Sequence, residues 1–213
     1  VGKEAFTSFG PAIVKSVQER GGKVFLDLKF HDIPNTVAGA AEAATKLGVA
    51  MFNLHALGGR KMMEEAVRAA KAVSERMGSP MPVVLAVTVL TSLNEGDMEE
   101  LGFHKASPQQ LVVRLARLAK EAGVSGVVAS AQEAESIRDA CGRDFVIVTP
   151  GIRTSGTTQR DDQKRVVTPE EAVRRGADYL VVGRPILEAP DPVAAADGIV
   201  EAIAAGMASR GKK

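Results

Sequence analysis

Asp27, Lys29 and Asp32 crowd the end of an apolar run in Asp27-Leu28-Lys29-Phe30-His31-Asp32-Ile33-Pro34-Asn35-Thr36. Charges in that position are costly unless they meet partners or do work. The run before them, Val24-Phe25-Leu26, reads as a short strand whose side chains alternate between two faces. Asp27 and Lys29 then share one face, and Leu26 and Leu28 take the other. Asp32 falls past the strand end in a turn, and Pro34 fits the first turn of a new helix. Taken alone, such a D-x-K-x-x-D is most simply a structural ion-pair network. Its chemical reading is a lysine kept as an ammonium between two carboxylates. That group is a poor base, but it can face a developing carbanion and then give it a proton. His31 and His55 lack the spaced partners of a metal site, so no metal is expected.

A second set lies in the C-terminal third. Thr149-Pro150-Gly151-Ile152-Arg153 and Val182-Gly183-Arg184 each follow a predicted strand. Each joins a glycine, whose backbone can approach a ligand closely, to an arginine able to grip phosphate through a fork of donors. Between them, residues 154–164 form a polar stretch that could close over an anion and bring in Gln163. Thr91, just past a buried strand, reads as a turn or helix cap on its own.

The elements that must position these groups alternate along the chain. Helices are predicted over residues 8–20, 34–47, 59–77, 107–122 and 131–140, then a short one from Thr168 and a last one from Asp191. Strands are predicted around 24–26, over 50–55, 82–88, 124–129 and 145–149, and over 179–182. Residues 93–106 are expected to be irregular. This rhythm argues for an α/β fold with a parallel sheet. A doubly wound sheet and a (β/α)8 TIM barrel share it. Polar or glycine signals after nearly every strand favour the barrel, whose sites gather at strand ends with phosphate bound after the last two. A barrel needs eight strands, so the first strand and helix and most of the second strand are expected before Val1.

With 213 residues, 45% of them hydrophobic, the chain fits one domain with a substantial core. Its 27 basic and 26 acidic residues leave a formal charge of +1, so no global field draws nucleic acid or an anionic membrane. The single cysteine, Cys141, cannot form an internal disulfide, and no apolar stretch is read as a membrane span. A reducing cytoplasm is the default expectation.

These motifs, with Val87-Thr88-Val89-Leu90-Thr91-Ser92 and Asp161-Asp162-Gln163-Lys164-Arg165-Val166 in the same order, resemble the bacterial orotidine 5'-phosphate decarboxylases along essentially the whole chain. The resemblance implies cofactor-free decarboxylation of orotidine 5'-monophosphate to uridine 5'-monophosphate in a cytoplasmic homodimer of (β/α)8 barrels. It places Asp27 beside the substrate carboxylate and makes Lys29 the proton donor to C6. It sends Asp32 and Thr36 into the partner subunit's site and sets Thr91 against the pyrimidine. Pro150, Arg153, Gln163, Gly183 and Arg184 become substrate contacts, with the arginines, Gln163 and the Gly183 amide on the phosphate. A ribose-binding aspartate and a further lysine are expected before Val1. Two alternatives remain open: a related magnesium-dependent sugar-phosphate decarboxylase or aldolase, and a non-catalytic nucleotide-binding barrel fragment.

Overall fold

The computed structural model describes residues 1–103, 107–153 and 167–210. The chain divides into two compact units, Val1–Thr88 with Leu115–Val127 and Val89–Arg114 with Val128–Lys213. All strand pairs within them are parallel, as the alternation of strands and helices predicts.

The first unit opens with two short helices, α1 (Lys3–Phe9) and α2 (Ala12–Gln18), where one was predicted over 8–20. The break is local. Gly10 turns left-handed at φ 60°, and Pro11 follows with no N–H for the preceding turn. Strand β1 (Phe25–Phe30) comes next, then α3 (Pro34–Lys46), β2 (Met51–His55), α4 (Arg60–Met77) and β3 (Val83–Val87). A 3-10 turn, Ala56–Gly58, precedes α4. Apart from β1, which runs four residues past the predicted Val24–Leu26, these bounds lie within a residue or two of the predicted ones, because each helix has a legible start or stop. Pro34 opens α3, and Gly78 ends α4 in the left-handed conformation. The alanine-rich α3 packs on α4, burying Ala41 and Ala44 on one side and Met63, Ala66 and Ala70 on the other. Strands β1, β2 and β3 pair in that order. On the outer flank of β1, Val1 and Gly2 run parallel to it: the Asp27 amide donates to the Val1 carbonyl at 2.9 Å.

The second unit begins with α5 (Glu95–Glu100), in a stretch predicted to be irregular. Asn94 and Asp97 form a reciprocal capping box at its start, enough to nucleate a helix that has little apolar periodicity. Helix α6 (Pro108–Glu121) and strand β4 (Gly126–Val128) span the division between the units. Ser125 donates to Val84 within the first unit, and Ala129 donates to Val148 within the second. A 3-10 turn leads into α7 (Ala134–Cys141), then β5 (Val146–Thr149), α8 (Pro169–Arg174) and β6 (Tyr179–Leu180). A four-residue helix, α9 (Arg184–Leu187), was not predicted, and α10 (Pro192–Arg210) closes the described chain. A small core of Ala131, Ile152, Ala172 and Ala177 packs against Val167, Leu180 and Val182. Arg138 ties the base of this unit together. It donates to the carbonyls of Gly142, Arg143, Phe145 and Gly176 and pairs with Asp178, which also accepts from the Ile147 amide.

One expectation is corrected here. By length and composition α10 could cross a membrane, although no such stretch was read in the sequence. Asp197 and Glu201 lie within it, which makes a span expensive, and its buried Ile199 and Gly206 belong to a helix packed against α8.

Candidate active site

The chemistry-bearing residues fall into two groups, one per unit. In the first, Lys29 Nζ donates to Asp27 Oδ1 at 2.5 Å, both side chains 26% exposed. The pair predicted to share a face is therefore in contact, but simple strand alternation does not produce it. Leu26 pairs with Phe52 and Phe30 with Leu54, so four steps along β1 match two along β2. The surplus bulges out as Asp27, Leu28 and Lys29, opposite a single β2 residue, Asn53. Lys29 takes φ 54°, the one non-glycine residue with positive φ among the described residues. For a lysine that posture costs about 1–2 kcal/mol, and something must hold it.

Asn53 is that holder. It is 1% exposed; its Oδ1 accepts the Lys29 backbone N–H at 2.8 Å, and its Nδ2 donates to Asp27 Oδ1 at 2.7 Å. Sequence reasoning passed over it, because a neutral amide in an apolar strand carries no charge pattern. The one available signal was its polarity in the otherwise apolar Met51-Phe52-Asn53-Leu54, since a buried amide needs partners.

Asp32 is not part of this pair. Its Oδ1 accepts from the Ile33 N–H at 2.6 Å, it is exposed, and no ion pair joins it to Lys29 among the described residues. Within this chain the carboxylate paired with Lys29 is that of Asp27. Thr36, in the first turn of α3, is also exposed, and Ile33 between them is 67% exposed. His31 and His55 stack obliquely, ring centroids 5.4 Å apart. Burial, reinforced by the charges of His31, Lys3 and Lys29, pushes the His55 imidazole down to about 4 despite the opposing pull of Asp27.

In the second unit the two glycine–arginine motifs stand on neighbouring strands. Val148 pairs with Tyr179 and Thr149 with Leu180, and the Val181 amide continues the ladder onto the Thr149 carbonyl. Both motifs therefore leave the same end of one parallel pair. Pro150 and Gly151 make the turn, Gly151 at φ 76°, and Ile152 is buried and bridged to Val167. Arg153 is half-buried; its Nη1 donates to the Ile152 carbonyl and its amide to Val167. Gly183 caps α9, its carbonyl accepting from Ile186 and Leu187, and Arg184 is exposed at the first position of that helix. Thr91 lies in the turn closed by the Leu93 amide on Leu90; Asn94, not Thr91, caps the helix that follows. Gln163 and the polar stretch around it lie outside the described residues.

The first group thus offers an ammonium fixed beside a carboxylate, and the second offers guanidinium and amide donors at strand ends. An ammonium can meet developing negative charge, and guanidinium and amide donors can hold an anion. The sequence model described as "Orotidine 5'-phosphate decarboxylase / HUMPS family" matches residues 1–199, and the chain belongs to that family. It is 64% identical over 210 residues to an orotidine 5'-phosphate decarboxylase of Syntrophus aciditrophicus, covering 99% of this chain and 83% of that protein. It is 56% identical over 204 residues to the one from Moorella thermoacetica, covering 95% and 80%. Among solved structures, orotidine 5'-phosphate decarboxylase from Lactobacillus acidophilus superposes with a TM-score of 0.83 at 38% identity, over 95% of this chain and 85% of that one.

Proposed function

We propose that this chain catalyses cofactor-free decarboxylation of orotidine 5'-monophosphate to uridine 5'-monophosphate, a step of pyrimidine nucleotide synthesis, in the cytoplasm. The observation that carries the reading is the Lys29–Asp27 contact on a strained bulge, in a chain 55–64% identical to proteins of that name. Breaking the C6–carboxylate bond releases carbon dioxide and leaves the electron pair in an sp2 orbital at C6. The pyrimidine ring delocalises that pair poorly, so stabilisation falls to a positive charge already in place. Lys29 supplies it, then transfers a proton from Nζ to C6; solvent returns the proton to the amine. Asp27 orients the ammonium and faces the departing carboxylate. Arg153, Arg184, the Gly183 amide and Gln163 take the phosphate, Pro150 lies along the nucleotide, and Thr91 meets the ring.

The fold proposed is a (β/α)8 barrel in a single domain. Parallel pairing in chain order and the superposition on the Lactobacillus enzyme support it. A homodimer is also proposed, with Asp32 and Thr36 serving the partner's site. Their exposure, beside the exposed Ile33, supports that assignment, since neither is engaged by the charged pair of its own chain.

The direct test is carbon dioxide release from orotidine 5'-monophosphate. Lys29→Ala is expected to lower it by at least about a thousandfold while the circular dichroism spectrum persists. Near-normal turnover in that variant would sink the reading. Full activity in excess chelator is expected as well, and its loss would return the magnesium-dependent alternative.

A further inference from the structure

We propose that Asn53 is a positioning residue of the charged site: it acts on Lys29 and Asp27 together and sets where the ammonium sits. The first observation is registry. Asn53 is the lone β2 residue facing the three-residue bulge of β1, so no backbone group of β2 stands in line for the Lys29 amide. The Asn53 side chain replaces the missing ladder partner, accepting that N–H at 2.8 Å. The second is that its other half donates to Asp27 Oδ1, the same oxygen that receives Lys29 Nζ. One amide thereby fixes both the backbone posture of the lysine and the carboxylate that aims it. Its orientation is unambiguous: an N–H needs the oxygen and a carboxylate needs the NH2 group, so a flipped amide would lose both bonds.

No other side chain does this as well. Leucine has similar bulk but leaves the half-buried Lys29 N–H without the Asn53 acceptor. Aspartate keeps the acceptor but sets a second carboxylate against Asp27, and like charge with burial raises the pKa of that pair. On the far side of β2, Asn53 pairs with Leu85 of β3, which has no charge. Among the described residues, the Val1 amino group and His55 both feel the charge of Asp27, and Lys3, His31 and Lys29 act on His55.

For its rate measurements the proposal rests on the decarboxylase reading, so wild type is assayed beside Asn53→Leu and Asn53→Asp between pH 5.5 and 8.5. In Asn53→Leu, kcat should fall about a hundredfold, the scale of an ångström's misplacement of a reacting group. KM and the affinity for uridine 5'-monophosphate should stay within about threefold. Asn53→Asp should be as slow near neutrality and then recover as the pH is lowered, because the protonated carboxyl can donate to Asp27 as the amide did; wild type should show no such recovery. A leucine variant within about threefold of wild-type kcat overturns the proposal. So does an aspartate profile parallel to wild type, which also decides the matter if the leucine variant fails to fold. If wild type itself releases no carbon dioxide, the function reading has failed, and crystal structures of the variants then decide. Lys29 should leave positive φ in Asn53→Leu and keep it in Asn53→Asp; an unchanged Lys29 in both refutes the role of Asn53.

Discussion

Position 29 shows how far residue types alone can be read. That Asp27 and Lys29 belong together followed from their spacing, and the structure joins them at 2.5 Å. That the joining passes through a bulge, a left-handed lysine and a buried asparagine did not. Lysine is not a turn residue, and a bulge is a property of two strands, legible only when both are in register. Asp32 does not share that contact; its carboxylate accepts the N–H of the next residue, Ile33. His55 carries a further expectation at this scale. Its folded-state value of about 4 lies below the ordinary 6.5, so the unfolded chain takes up the proton first. Stability should be unaffected by this group above pH 6.5 and fall between 6.5 and about 4, by about 1–2 kcal/mol after solvent screening. Urea midpoints at pH 7 and pH 5 check it; the drop should shrink in His55→Gln.

Among the elements, those with a capping residue at one end and a glycine at the other were legible, and the ones set by tertiary contacts were not. Helix α4 ends at Gly78 as read, whereas α9, only four residues long, carries no periodicity to read. Helix α10 tests what packing adds to propensity. A β-carbon on Gly206 would lie 2.6 Å from the Glu170 carbonyl and 3.0 Å from Val173 Cβ, both on or beside α8, while one on Gly198 would meet nothing within 4 Å. Alanine is the better helix former at both positions by roughly 1 kcal/mol. Gly198→Ala should therefore raise stability by about 0.5–1 kcal/mol. Gly206→Ala should lower it by about 1–3 kcal/mol, because α10 must shift off α8. Thermal melts of the two variants should move in opposite directions.

For the molecule as a whole, the near balance of charge leaves any anion to be met by local groups. Sequence alone conveyed the α/β class, the Lys29–Asp27 pair and the placing of both glycine–arginine motifs at strand ends. Which residues serve a neighbour came from the family resemblance, since neither spacing nor charge conveys it. If Asp32 and Lys29 of different subunits complete one site, mixing inactive Asp32→Ala and Lys29→Ala chains should restore turnover at hybrid sites that regain both wild-type residues. On random exchange, about a quarter of all sites should be whole. No recovery despite exchange demonstrated by mass spectrometry would speak against a shared site.

If Lys29 delivers the proton as proposed, its positive φ sets folding against turnover within a single residue. Glycine would relax that backbone, and asparagine tolerates it better than lysine does, yet neither can deliver a proton from an ammonium. A library of this chain selected only for heat resistance should drift away from lysine at position 29, while one selected for growth without uracil should keep it. Residue 29 is where consensus by stability and consensus by survival part company.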